Sequence, residues 1–240
     1  MVADALRRPL SLFDVAGKVA VITGASGTLG RTVAVALGAM GCKLLLASGT
    51  ADELEEAAAA ARATGAEVAI LARRADSVDD AEAIVGAAVD AFGTVDLLVV
   101  ASGFNQPGFI HEQAYEDWQA VMDANVRASW LMAKAFGTRL IAEGKGGKVL
   151  FTSSVRGRHG NYSGYTAYCT SKGATDALTR VLATEWGRHG ITVNAIAPTV
   201  FRSKLTAWMY GDDEQVDRPA DFFDLGRHLG ELAFGAGGEQ

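Results

Sequence analysis

The sequence predicts a doubly wound α/β fold, one parallel sheet covered by helices on both faces. Six short apolar runs are rich in Val, Leu and Ile without strict alternation, as in parallel strands buried on both sides. Longer amphipathic stretches separate these runs and are long enough to act as helical crossovers. A glycine-rich turn carrying Gly24, Gly27 and Gly30 lies directly behind the first run.

The runs fall at 18–23, 43–47, 67–72, 96–101, 148–152 and 191–196. The glycine turn leads from the first strand into a helix. Thr50 and Glu53 have capping-box spacing, so an alanine-rich helix is expected over 51–64, stopping at Gly65. A helix over 79–92 ends at Gly93, and one long helix over 113–143 ends at Gly144. The segment 165–188 forms the last helix before the sixth strand. No composition break marks a second domain, so 13–210 reads as one domain. Residues 1–12 lack an apolar signal core and read as a loose tail. The stretch 211–240 ends in a glycine-rich run, offers no convincing seventh strand and is expected to be mobile.

Composition narrows the functional classes. At 49% hydrophobic and 21% charged, a chain of 240 residues can bury a substantial core. Its net charge is −6, and its basic pairs, Arg7 with Arg8 and Arg73 with Arg74, are isolated, which argues against nucleic acid. Cys42 and Cys169 are too few for a disulfide framework and read as thiols of a reducing cytoplasm. The four histidines have no ligand-like spacing, so no metal is expected. No stretch reaches 18 uninterrupted apolar residues, so no membrane span is expected.

The chemistry-bearing residues form an ordered set. Tyr168 and Lys172 are four apart on the last helix and therefore share a face. A nearby ammonium favours a phenolate; bringing a tyrosine from about pKa 10 to neutrality takes roughly 4 kcal/mol. Ser153 and Ser154 end the fifth strand, and Asn125 lies earlier, in the long helix. With the glycine turn, this order of Asn125, Ser154, Tyr168 and Lys172 resembles the short-chain dehydrogenase/reductase family over roughly 13–206.

The resemblance implies a Rossmann-type sheet, in which 211–240 departs from the family's usual seventh strand. It implies an oxidoreductase that moves a hydride between a nicotinamide dinucleotide and a secondary alcohol or ketone, with Tyr168 as acid and base. Ser154 would hold the substrate oxygen, with Ser153 as its competitor. Asn125 would hold a water linking Lys172 to solvent, or else mark a helix kink. Lys172 would also hold the ribose hydroxyls. Gly24, Gly27, Thr28, Leu29 and Gly30 would cradle the pyrophosphate. Thr28 stands where the family usually has glycine, and either crowds the phosphate or donates to it. Asp76 would accept from the adenine amine or serve as a plain turn residue.

Ser48 stands near the end of the second strand, which has no acid for a ribose 2′-hydroxyl. NADP is preferred over NAD on that ground, with Arg31 the nearest basic candidate unless it is simply solvated. Gly103 would allow close approach after the fourth strand, where the family's asparagines are replaced by Ala101 and Ser102. Pro198, Phe201 and Ser203 would meet the carboxamide and phosphates. Residues 153–158 and 197–203 look like the gluconate 5-dehydrogenase-like branch, which implies a polar, sugar-acid substrate. Apolar positions such as Trp118, Met122, Trp130 and Ala174 on the long helices imply a homodimer. The competing readings are a non-catalytic dinucleotide sensor and a truncated inactive relative.

Overall fold

The structure is a computed structural model that describes residues 11, 13–161 and 163–201. Its contacts divide the chain into Met1–Ala197 and Pro198–Gln240. The first unit holds every element named below. The tail at 211–240, and with it the seventh-strand question, lies outside the described residues.

Six parallel strands form one sheet: β1 (Val19–Thr23), β2 (Lys43–Ser48), β3 (Val68–Ala72), β4 (Leu97–Val100), β5 (Gly147–Thr152) and β6 (Ile191–Ile196). Their spatial order is β3-β2-β1-β4-β5-β6. The crossovers are helical: α1 (Thr28–Ala39), α2 (Ala51–Arg62), α3 (Val78–Phe92), α4 (Tyr115–Met122), α5 (Ala128–Ala142) and α6 (Thr166–Trp186). The predicted doubly wound fold is therefore the one observed, with strand ends within about a residue or two of the apolar runs.

Non-alternating strands are explained by the cover on both faces. Val19 and Val21 of β1 point into one layer with Ile84 of α3 and Phe136 and Leu140 of α5. Ala20 and Ile22, one residue out of phase, join Ala34 of α1 and Leu54 and Ala57 of α2 in the other. Every β1 residue is buried, so a polar side chain there needs a partner, as Thr23 at the strand end has in Ser102.

Two local expectations are corrected. Thr50 occupies the N-cap of α2, but its side chain makes no capping bond, so the capping box does not form as expected. The hydroxyl that does cap is Ser77, which accepts from the Asp80 amide at 3.1 Å and starts α3. The long helix expected over 113–143 is interrupted by a π-helical turn at Asp123–Arg127. That insertion belongs to the candidate site and is explained with it.

Strand order fixes where a ligand can sit. The chain runs outward from β1 in both directions, leaving a crevice beyond the C-terminal ends of β1 and β4. Thr23 pairs with Val100 there, and the Thr23 and Ser102 hydroxyls lie 3.3 Å apart. Ser102, one of the two residues that stand where the resemblance leads one to expect asparagines, thus joins the strand ends.

Two glycines test the packing with opposite signs. A Cβ on Gly137 of α5 would fall 2.5 Å from the Trp186 ring, whereas one on Gly86 of α3 would meet nothing within 4 Å. Alanine gains about 1 kcal/mol of helix propensity over glycine at either site. We expect Gly86→Ala to stabilise by about that amount. Gly137→Ala should be destabilised, because overpacking costs about 1–3 kcal/mol. Urea midpoints decide it; a stabilised Gly137→Ala protein would contradict the described fit of Trp186.

Candidate active site

The end of β5 and the start of α6 are held together by backbone contact. Ser154 caps a short 3-10 turn, Val155–Gly157, that folds back on α6. A Cβ on Gly157 would stand 2.9 Å from the Lys172 carbonyl carbon, so only glycine lets the turn lie this close. Ser153 faces the helix backbone and donates to the Lys172 carbonyl at 3.3 Å. Ser154, one residue on, faces the other way: its hydroxyl accepts from the Arg156 amide at 3.2 Å and lies towards the Tyr168 phenol, whose pKa it lowers. The structure thus brings Ser154, rather than its competitor Ser153, to Tyr168.

Lys172 lies one turn after Tyr168 and is only 4% exposed. Its Nζ donates to the Thr152 carbonyl at 2.8 Å and sits 5.5 Å from the centre of the Tyr168 ring. Burial pushes the ammonium down from 10.5 to about 8, and the charge of Asp176, one turn further along, opposes the shift. Asp176 is itself buried and pairs with Arg158 at 3.5 Å. Burial pushes the Tyr168 phenol up; the Ser154 hydroxyl pulls it down, and neighbouring Cys169 and Tyr165 push up. In this arrangement desolvation is the largest influence on both groups.

Asn125 explains the π-helical turn. It is 2% exposed, and its side chain is drawn inward across the helix. Oδ1 accepts from the Phe104 amide at 2.8 Å, while Nδ2 donates to the Phe104 carbonyl and to Ser171 Oγ, each at 2.9 Å. Ser129 Oγ takes up the Asn125 carbonyl at 2.6 Å. One extra residue in the turn lets Asn125 tie the loop after β4 to α6, a use of π-insertions common at functional sites. Ser171, the partner of Asn125 on α6, was not anticipated from the sequence.

The glycine turn lies at the crevice. Gly24 has φ +64°, and a Cβ there would be 2.5 Å from the Ser102 nitrogen. A Cβ on Gly30 would fall 2.2 Å from the Gly24 carbonyl oxygen, so the turn packs flat against α1. Gly27 is the extended N-cap of α1 and supplies no side-chain cap. Thr28 and Leu29 follow in the first helical turn, with Thr28 exposed. A pyrophosphate fits this cradle: bare backbone flanks a helix N-terminus whose amides point outward.

The remaining candidates are distributed around this turn. Ser48 ends β2, and its hydroxyl lies 2.7 Å from that of Ser26. Asp76 follows β3 and pairs with Arg74 at 3.7 Å. Arg31 is turned to Glu56 of α2 at 3.9 Å. Gly103 borders both halves of the site: a Cβ there would lie 3.5 Å from Asn125 Oδ1 and 3.6 Å from Lys172 Nζ. Pro198 and Phe201 belong to the second unit, and Ser203 lies outside the described residues. Ser26 and Arg74 were not singled out from the sequence as site residues; their placement depends on which strand ends are neighbours. Among the described residues, no group of three or more His, Cys, Asp or Glu could hold a metal ion. No described helix is long and apolar enough to cross a membrane.

The comparisons agree with this geometry. A family model described as short chain dehydrogenase matches residues 18–213. An uncharacterized oxidoreductase of Mycobacterium tuberculosis is 50% identical over 204 residues, which is 85% of this chain and 75% of that protein. The 2-dehydro-3-deoxy-D-gluconate 5-dehydrogenase of Escherichia coli is 31% identical over 218 residues, 91% of this chain and 85% of its own. The structure of carveol dehydrogenase from Mycobacterium avium in complex with NAD superposes with a TM-score of 0.73 at 29% identity, covering 77% of this chain and 71% of that one. This chain belongs to the short-chain dehydrogenase family and is an NAD(P)-dependent dehydrogenase/reductase.

Proposed function

We propose that the protein interconverts a secondary alcohol and a ketone, with Tyr168 moving the proton at the substrate oxygen. The observation that carries this reading is the buried Lys172, its Nζ 5.5 Å from the centre of the Tyr168 ring, with the Ser154 hydroxyl towards the same phenol. A bound nicotinamide supplies hydride acceptance or donation. The substrate oxygen would take the place between the Ser154 hydroxyl and the Tyr168 phenol. In reduction, Tyr168 Oη gives up its proton to that oxygen; in oxidation it takes one. Lys172 stabilises the phenolate so formed and, with Gly103 leaving room beside it, holds ribose hydroxyls. Asn125 fixes the loop after β4 and a water that returns protons to Lys172.

Gly24, Gly27, Thr28, Leu29 and Gly30 hold the pyrophosphate, and Asp76 meets the adenine amine. Pro198, Phe201 and Ser203 would meet the carboxamide and phosphates. NADP is the preferred cofactor, because Ser48 and its neighbours offer no carboxylate to a ribose 2′-hydroxyl. A polar sugar acid is the proposed substrate class, supported by the names of the 31% identical relatives, which include gluconate 5-dehydrogenase of Gluconobacter oxydans. The setting is the cytoplasm. The working form is a homodimer: Trp118, Met122, Trp130, Ala174, Leu178 and Val181 line an apolar groove of about 560 Å³ between the long helices. None of the proton-handling residues lines it, so the groove serves assembly.

Tyr168→Phe should cut turnover of a ketone panel by about 100- to 10,000-fold while leaving the cofactor dissociation constant within about twofold. Turnover within a few-fold of wild type would remove Tyr168 from the proposed role.

Lys172→Met should lose activity and weaken cofactor binding, and its stability should carry a pH signature. The folded pKa of Lys172 lies below its ordinary value, so the folded state disfavours the ammonium at every pH below about 8. That penalty, on the order of 3 kcal/mol, disappears as pH rises from about 8 to 10.5. Wild type should therefore gain stability relative to Lys172→Met across that window, measured by urea unfolding. A pH-independent difference would place Lys172 in a solvated setting.

The wild-type protein should scatter light as a dimer, and Trp130→Glu, at a half-exposed position, should scatter as a folded monomer. A monomeric wild type, or an unaffected dimer in the variant, would move the interface elsewhere.

A further inference from the structure

We infer that Arg74, not Arg31, selects the cofactor by binding the adenosine 2′-phosphate together with the Ser26 and Ser48 hydroxyls. The inference rests on the dinucleotide reading of the crevice and names the residues that distinguish two cofactors there.

Strand pairing places these groups together. Ser48 is in register with Ala72, so β2 and β3 finish side by side and Arg74 follows two residues later. Its stem lies across Gly49: a Cβ on that glycine would stand 2.8 Å from Arg74 Cδ and 2.9 Å from Cγ. Gly49 has no positive φ to explain it, so the missing side chain makes room for this arginine. On the other side, the Ala25 amide donates to the Ala47 carbonyl at 3.2 Å, pinning the glycine turn to β2. That bond places Ser26 Oγ 2.7 Å from Ser48 Oγ. Two hydroxyls and a guanidinium thus border the end of a strand that carries no acid.

This chemistry suits a phosphate monoester. A guanidinium donates along two edges to phosphate oxygens, and hydroxyls can donate to a third. A ribose 2′-hydroxyl instead favours a carboxylate acceptor, and the Ala47, Ser48, Gly49 and Thr50 stretch provides none. Arg31, the basic residue nearest in sequence to the glycine turn, reaches towards Glu56 on α2. Arg74 meets Asp76 only through Nε at 3.7 Å, with both side chains more than half exposed, a pair of little strength. A phosphate can therefore outbid it.

The test is calorimetric binding of 2′,5′-ADP and 5′-AMP, which differ only in the 2′-phosphate, to the full-length protein, independent of turnover. Wild type should prefer 2′,5′-ADP, increasingly so at low salt. Arg74→Gln should weaken 2′,5′-ADP by about tenfold or more while leaving 5′-AMP within about twofold, as loss of a charge-assisted contact requires. Gly49→Ala, which displaces the arginine stem, should move 2′,5′-ADP in the same direction. Arg31→Gln should leave the ratio unchanged. Equal losses for both nucleotides in Arg74→Gln would assign Arg74 to the adenine ring and overturn the inference, as would a collapse of the ratio in Arg31→Gln. A wild type that binds 5′-AMP but does not prefer 2′,5′-ADP overturns the inference and leaves the dinucleotide reading intact. A wild type that binds neither overturns both.

Discussion

The burial of the Lys172 ammonium is the constraint around which the site is arranged. Moving a lysine from 10.5 to about 8 corresponds to on the order of 3 kcal/mol against its charged form. The surroundings offset that cost in specific ways. The Thr152 carbonyl at the end of β5 accepts from Nζ, and the Asp176 charge lies one turn along α6. The Gly157 turn pressed against the Lys172 backbone belongs to the same loop as Ser154. The contact that brings the loop onto the helix therefore also sets the hydroxyl beside the phenol. Drying the cation and positioning the proton donor are one packing event.

The same economy joins the proton-handling helix to the dinucleotide turn. Asn125 links the loop after β4 to Ser171 on α6, and Gly103 in that loop leaves space between Asn125 Oδ1 and Lys172 Nζ. Gly24 in turn touches the backbone of Ser102. From α6 through the π-turn to the loop after β4 and on to β1, each step is a short polar contact or a glycine-permitted approach. A shift in any of them changes the distance between the glycine turn after β1 and the Tyr168 phenol. The π-turn carries this link because a regular helix would present Asn125 at a different angle to Phe104 and Ser171.

Much of this was legible in the sequence, for physical reasons that also mark where legibility stops. The six strands could be read because residues buried on both faces must be apolar without alternation, as Val19, Ala20, Val21 and Ile22 are. Tyr168 and Lys172 could be paired because helical spacing is local. Ser153 and Ser154 could be placed at the end of β5, and of the two it is Ser153 that turns to the α6 backbone. The π-turn was not legible: Asp123 to Arg127 read as ordinary helix, and only the partners of Asn125 across the fold draw it inward. The capping box failed for a related reason, since Thr50 has the right residue type without the side-chain bond. Ser26 and Arg74 depend on β1, β2 and β3 being neighbours, which no local pattern states. Likewise, spacing gave Lys172 its place beside Tyr168 but not its burial.

The departures from the family pattern gather in the dinucleotide half, while the order of Asn125, Ser154, Tyr168 and Lys172 is kept. The structure gives several of them a common character. Where asparagines are replaced after β4, Ser102 joins the Thr23 hydroxyl across the crevice. Where an acid is missing after β2, Ser48 joins Ser26. Each pairing uses small hydroxyls that can donate as well as accept, whereas a carboxylate only accepts. A crevice lined this way can offer a ligand donors or acceptors. The loop pressed on α6 is more tightly constrained: the strand ends could exchange one hydroxyl pairing for another, but the Gly157 contact on Lys172 leaves no room for a side chain.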